Sequence, residues 1–267
     1  MTYTDKTGLR HFIKTRTPKK HFQEWDFEKI DYKFLMEQLN IALNAYIKAD
    51  YDNSGPLGNL MGIVSEFAFD GLLTALKLKY EWNIRRADKW EKPDERPWDF
   101  QLSNGTTFEI GSIRPFHQHA MLTASEHKLK SDYFVQVKIL HLRLFGRASW
   151  KDMDRMLLFD ANASGSEPRE ITDPTEIKEE LEAQEKKVLA TARIEGFDLI
   201  SNIKAKKGLW RFSEKGEKLT PKEAAFCEPL EAIQNFPELI ILLTGKPTLD
   251  NQPRKSSEQL HFRKKRS

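Results

Sequence analysis

Cysteine is nearly absent from this chain. A single one, Cys227, stands among 267 residues, which excludes an internal disulfide and a cysteine-rich zinc centre and fits a reducing compartment. Long apolar runs are missing as well. No stretch approaches the roughly 20 residues that a membrane-spanning helix requires, and the opening MTYTDKTGLRHFIKTRTPKKHF is basic without the apolar middle of a signal peptide. These absences set the expectation of a cytoplasmic protein with no membrane partner. Neither charge sign dominates: 43 Lys and Arg face 40 Asp and Glu, for a net charge of +3, so no global field marks the chain for nucleic acid. The bias that exists is local. The first twenty residues and the tail QPRKSSEQLHFRKKRS are basic, whereas residues 167–187 are rich in acid. No serine or cysteine nucleophile stands in a recognisable setting, and neither PLGNLMG nor LTGKPT has the spacing of a phosphate loop. His117 and His119 flank Gln118, an alternating pair of metal-ligand type with no convincing third ligand, so surface or phosphate-contacting histidines are the expectation.

Periodicity organises what is there. Residues 1–25 read as a basic, poorly ordered arm. In residues 26–50, Leu35, Leu39, Ala42, Leu43, Tyr46 and Ile47 recur at helical spacing and predict a first long helix. After the loop YDNSGPLGN, Leu60, Ile63, Val64, Phe67, Ala68, Leu72, Ala75 and Leu76 predict a second, almost wholly buried helix. Glu66 and Asp70 lie one turn apart on one stripe of it. YEWNIRR (80–86) predicts a short strand, HQHAMLTASEHKLK (117–130) a helix, and SDYFVQVKILHLRLF (131–145) a long strand of β-branched and aromatic residues. Beyond residue 150, ITDPTEIKEELEAQEKKVLATARIEG (171–196) predicts a charged helix capped by Thr172 or Asp173 and ended near Gly196. KGLWRFSEKGEKLTP (207–221) predicts a hairpin, PKEAAFCEPLEAIQNFP (221–237) a helix, and ELIILLTGK (238–246) a buried strand. The organisation expected is an arm (1–25), a helical lead-in and core (26–150), and an extension (151–267) that completes the core sheet. DANASGSEPRE is the boundary if that extension is instead a small separate domain.

The stretch RPWDFQLSNGTTFEIGSIRP (96–115) carries two acids, Asp99 and Glu109, in what otherwise reads as an apolar hairpin. A two-residue Asn104-Gly105 loop would pair Phe100 with Glu109 and mix acid and aromatic faces. A three-residue loop, Ser103-Asn104-Gly105 with Gly105 left-handed, pairs Phe100 with Phe108 and Asp99 with Glu109. It is preferred because a one-residue slip sends the whole apolar set to the wrong side. Two carboxylates that close raise each other's pKa unless a cation lies between them. Magnesium, which takes one or two carboxylates with waters and a phosphate, is the expected ion. The bland alternative is a solvated sheet face that binds nothing.

Residues 58–141, from GIVSEFAFDGLL through PWD and FEIG to DYFVQVKI, resemble the PD-(D/E)XK nucleases, the restriction-endonuclease-like superfamily. The resemblance implies an α/β fold with an αβββαβ core, a mixed central sheet flanked by helices, and helical and small β additions. It implies a magnesium-dependent endonuclease acting on double-stranded DNA, of type II restriction type and homodimeric, with Asp99, Glu109 and Glu66 holding the metal. One position departs from the family: Gly111 stands where its lysine is expected. Lys138, on one face of its strand with Gln136, is the expected catalytic replacement. Arg114, Lys128 and Lys130 are further candidates, expected to contact DNA. Alternatives are a junction or repair nuclease, a nuclease-fold protein that binds nucleic acid or assembles with partners without cleaving, and an interaction module built from charged helices.

Overall fold

Two long helices pack on a curled mixed sheet, and their shared interface holds most of the buried apolar residues. The computed structural model describes residues 17–19, 22–28, 31–48, 55–83, 98–122, 130–151, 153–163, 167–185, 188–205 and 226–245. In chain order the elements are β1 (Thr17–Lys19), β2 (Glu24–Phe27), α1 (Tyr32–Lys48), α2 (Gly55–Ala75), β3 (Tyr80–Trp82), β4 (Phe100–Leu102), β5 (Thr107–Ile113), β6 (His119–Leu122), β7 (Tyr133–Trp150), β8 (Met153–Asp160), β9 (Arg169–Glu170), α3 (Pro174–Glu185), β10 (Ala190–Leu199), α4 (Ile200–Ala205), β11 (Phe226–Pro229), β12 (Gln234–Asn235) and α5 (Phe236–Thr244).

The main sheet runs β1-β2-β10-β7-β5-β4-β3. All neighbours along it are antiparallel except β5 and β7, which are parallel. The long strand β7 serves two ladders: residues 133–142 pair with β10 and residues 143–150 with β8. Strand alternation sorts the side chains. Phe108 and Ile110 of β5, with Val135, Val137 and Ile139 of β7, join the core with Leu35 and Leu39 of α1 and Leu60, Val64 and Phe67 of α2. Phe134, Gln136 and Lys138 point to the opposite face of β7 and are buried there too. Where α2 meets the hairpin the core is aromatic. Phe67 stands edge-on to Trp82 at 4.7 Å, and Trp82 stacks on Phe100 at 5.3 Å. Full burial of each such ring contributes about 1.5–3 kcal/mol.

The hairpin has the three-residue loop. Phe100 pairs with Phe108 and Gln101 with Thr107, Gly105 has φ 89°, and its N–H donates to the Leu102 carbonyl at 2.9 Å. A side chain at that φ would be strained, so the turn selects glycine. The two long helices and the strand from residue 133 also follow their predicted pattern, and Asp173 caps α3 by accepting from the Thr175 N–H at 2.9 Å.

Other expectations need correction. Residues 17–19 and 24–27 are sheet strands, not part of a loose arm, because Trp25 and Phe27 are buried in the core. The helix predicted over 117–130 gives way at His119–Leu122 to β6, which pairs with Phe226–Pro229 more than a hundred residues on. The helix predicted over 171–196 ends at Glu185, and Ala190–Leu199 is a strand inserted between β2 and β7. Residues 151–267 therefore contribute a central strand to the one sheet. Residues 226–235, predicted helical, form β11, a short 3-10 turn and β12. The predicted strand 238–246 is helix α5, whose start is set by a capping box between Asn235 and Glu238 and whose end is set by left-handed Gly245. The hairpin predicted over 207–221 and most of the first arm lie outside the described residues. Among the described residues no helix is long and apolar enough to cross a membrane.

Candidate active site

Asp99 lies immediately before β4 and is 7 % exposed. Its backbone is gripped from both sides: its N–H donates to the Phe108 carbonyl at 3.0 Å, and its carbonyl accepts from Asn83 N–H at 2.7 Å. Its carboxylate turns across the hairpin, where Oδ2 accepts from the Ile110 N–H at 2.8 Å. That contact seats the carboxylate against the Glu109–Ile110 peptide. Glu109 is partly buried and lies on the face of β5 opposite Phe108 and Ile110. Asp99 is thus fixed against the peptide that follows Glu109 by a charge-assisted hydrogen bond that orients its carboxylate.

Glu66, Asp70 and Thr74 form one stripe of α2 that rides on β3. Glu66 Oε2 accepts from Trp82 Nε1 at 2.9 Å, Asp70 Oδ1 accepts from the Tyr80 hydroxyl at 2.5 Å, and Thr74 Oγ1 lies 2.9 Å from the same hydroxyl. Trp82 pairs with Phe100, the residue after Asp99, so Glu66 reaches the same end of the β3–β4 ladder from the helix side. An ion pair of Glu66 with Arg85 or Arg86 falls outside the described residues. Among the described residues no three His, Cys, Asp or Glu side chains converge into one metal-binding group. Asp99, Glu109 and Glu66 are thus not gathered into one such group.

Gly111 pairs with Gln136 across the parallel ladder. Gln136 is fully buried, and its Nε2 donates to the Gly111 carbonyl at 2.9 Å and to the Val137 carbonyl at 3.3 Å. A neutral amide fills the row where the resemblance implies an ammonium. Lys138 belongs to the row of Ile113, four residues beyond Glu109 or about 13 Å along the strand. It is 6 % exposed, and its Nζ donates to the His117 carbonyl at 2.8 Å, toward the turn that follows β5. Arg114 is also interior, 8 % exposed, with Nη1 on the Ala163 carbonyl at 2.8 Å. Lys130 is exposed just ahead of β7, and Lys128 lies outside the described residues. Two participants escaped the sequence reading: Trp82, the donor that holds Glu66, and the role of Gln136 beside Gly111. For Gln136 the signal was present, since it shares the parity of Lys138 and stands two residues closer to the start of its strand.

Two groups away from the hairpin have displaced titrations. Burial raises the Tyr32 phenol above its ordinary value, and its hydroxyl donates to the Phe145 carbonyl at 3.1 Å. Burial works against the charge on Arg143, but the hydrogen bonds and fields of Glu180 and Asp160 outweigh it and raise its pKa. This ion network joins β7 to the end of β8 and to α3. No protein-family model, curated protein or solved structure matches the chain.

Proposed function

We propose that this chain is a magnesium-dependent endonuclease that hydrolyses phosphodiester bonds in double-stranded DNA, built on a restriction-endonuclease-like core and acting through Asp99 and Glu109. The observation that carries the reading is the 2.8 Å clasp of Asp99 Oδ2 on the Ile110 amide, which fixes that carboxylate against the peptide following Glu109 on one hairpin. Strand order supports it. Helix α2 is followed by β3, β4 and β5 in antiparallel succession and then by β7 parallel to β5, as the resemblance of residues 58–141 calls for. A parallel neighbour needs a crossover of about a dozen residues or more. Residues 114–132 supply it and include a strand at His119–Leu122, within the span where the helix was expected.

Asp99 and Glu109 are the residues that would hold the metal. When bound, magnesium supplies an activated water and charge stabilisation at the phosphate. Asp99 is oriented in advance by the Ile110 amide, so little reorganisation accompanies binding. Glu66, steadied by Trp82, orients the attacking water from the helix side. Lys138 stands in the row of Ile113 with its ammonium on the His117 carbonyl, so on this reading its charge acts at the turn after β5 and not beside the acids. A type II restriction enzyme acting as a homodimer on a palindromic site is the form this reading takes, since protein symmetry then matches DNA symmetry.

A second reading has its own observation. Gly111 and the Gln136 amide stand where an ammonium is expected, which favours a nuclease-fold DNA binder that does not cleave. One experiment separates the two: mixed-sequence duplex DNA is incubated with the protein and magnesium, with EDTA, or with the Asp99→Asn variant, and the products are resolved on a gel. Discrete bands that need both magnesium and Asp99 support the nuclease. Intact DNA in every lane, manganese included, rejects it in favour of the binder.

A further inference from the structure

After β5 the chain makes a four-residue turn, Arg114-Pro115-Phe116-His117, closed by the His117 N–H on the Arg114 carbonyl at 3.2 Å. Proline in second place presets the backbone for such a turn. Two long cations brace it from outside. Lys138 Nζ donates to the His117 carbonyl, and Arg114 Nη1 donates to the Ala163 carbonyl, each at 2.8 Å. Both side chains are more than nine-tenths buried, and neither has a carboxylate partner among the described residues. Burying two such charges costs free energy. What they hold in place is Phe116, 50 % exposed at the tip. Its ring is steadied from within: the Arg114 guanidinium lies 5.9 Å from the ring centroid and the His117 imidazole meets it edge-on at 4.7 Å. A lone exposed aromatic needs no explanation. This one is rigidly mounted, with cations behind it, at the C-terminal end of a parallel strand pair, where open α/β sheets bind their ligands.

We propose that Phe116 stacks on a nucleobase of the DNA substrate, presented by the Arg114–His117 turn that Lys138 and Arg114 hold in shape. The identity of the ligand rests on the nuclease reading. Charge complementarity selects the partner, because the ring is set against Arg114 and His117 on a turn that Lys138 also bonds, and a polyanion with flat π-faces suits both features. Geometry sets the distance. Ile113 lies about 13 Å along β5 from Glu109 and the turn continues beyond it, so the stacked base is not the one at the cut bond. At that range an aromatic wedge opens a base step of the duplex flanking the cut.

The test is binding by the full chain in EDTA, where cutting does not intervene. Fluorescence anisotropy is measured with a labelled duplex and its single strand for wild type, Phe116→Ala and Phe116→Trp. Stacking is worth about 1–3 kcal/mol per base, so Phe116→Ala should weaken binding by about 5- to 150-fold. The dependence of affinity on salt should stay as in wild type, because no phosphate contact is lost, and Phe116→Trp should bind as well as wild type or better. Unchanged affinity in Phe116→Ala overturns the proposal. So does a loss that Phe116→Trp fails to restore, which would mark a merely structural ring. Wild type that binds neither DNA overturns it as well. The two readings fail separately: cleavage with an indifferent Phe116 rejects this proposal alone, whereas Phe116-dependent binding without cleavage rejects the nuclease alone.

Discussion

Replacing Asp99 by asparagine or by alanine separates what its charge does from what its shape does. Its Oδ2 accepts from the Ile110 N–H at 2.8 Å in a site that is 7 % exposed. Alanine deletes the acceptor and strands a buried donor. A hydrogen bond to a charged group contributes about 1.5–3 kcal/mol, and an unsatisfied buried donor costs about 1–3 kcal/mol. Asp99→Ala should therefore lose about 2 kcal/mol, and at about 2–4 °C per kcal/mol for a domain of this size it should melt roughly 4–8 °C early. Asparagine keeps an oxygen in the same place with a neutral bond of about half the strength, so its loss should be about 1 kcal/mol. In the cleavage assay the two variants should converge, because each removes the carboxylate proposed to hold magnesium. Stability is read by urea denaturation with equal m-values as the check on two-state behaviour, and cleavage by gel. Wild-type cutting by Asp99→Asn would refute the site. Equal stability of Asp99→Ala and wild type would refute the argument from the Ile110 amide.

Trp82→Phe keeps the ring against Phe67 and Phe100 but removes the donor to Glu66; it should cost about 1.5–3 kcal/mol in urea denaturation, and no change would count against Glu66 as a held carboxylate. At Gly196 a Cβ would press on the Gln234 carbonyl oxygen and come within 3.1 Å of its carbon, so Gly196→Ala should lose about 1–3 kcal/mol with faster hydrogen exchange in β12; unchanged exchange there would refute the contact. Tyr32 has a raised folded pKa, so its contribution is complete below the unfolded value of about 10 and fades as pH rises through the folded value. The stability advantage of wild type over Tyr32→Phe, about 1 kcal/mol near neutrality, should narrow as pH rises past about 10, and a constant gap would refute the assignment. Gly111→Lys restores an ammonium beside the acids and should raise cleavage by up to about 100-fold, the scale on which one transition-state donor acts. An unchanged rate would mean that the cation is already supplied.

The parts of the fold that were legible are those whose pattern is local and long. The helices at 32–48 and 55–75 carry many turns of one apolar stripe, and the hairpin register follows from keeping Phe100 and Phe108 on one side. Strand β10 misled because alanine, arginine and glutamate favour helices, while its alternation of buried Ala190, Ala192 and Ile194 with half-exposed Thr191, Arg193 and Glu195 is equally regular. What makes it a strand is a place between β2 and β7, which no local window reports. Helix α5 was different. Its apolar run is too short for periodicity to decide, yet Asn235, Pro237, Glu238 and Gly245 spell out its start and stop.

The acids were legible because they sit on one hairpin; the tenant of the Gly111 row was not, and the reason is register. Parity fixes which face of β7 a side chain takes, and Gln136 and Lys138 satisfy it equally, so a two-residue shift of the parallel ladder exchanges one for the other without exposing a single core residue. The register is set instead at the start of the strands. Thr107 N–H and Oγ1 both donate to Asp132 Oδ2, and the Asp132 N–H donates back to Thr107 Oγ1, each at 2.9 Å. Next along, Phe108 stacks on Tyr133 at 5.5 Å. Bringing Lys138 to the Gly111 row would break that clasp and that stack together. The clasp consists of short polar contacts between residues 25 apart in sequence, which no spacing rule anticipates. It is the reason an amide stands beside Gly111, and the reason Lys138 reaches the turn that bears Phe116.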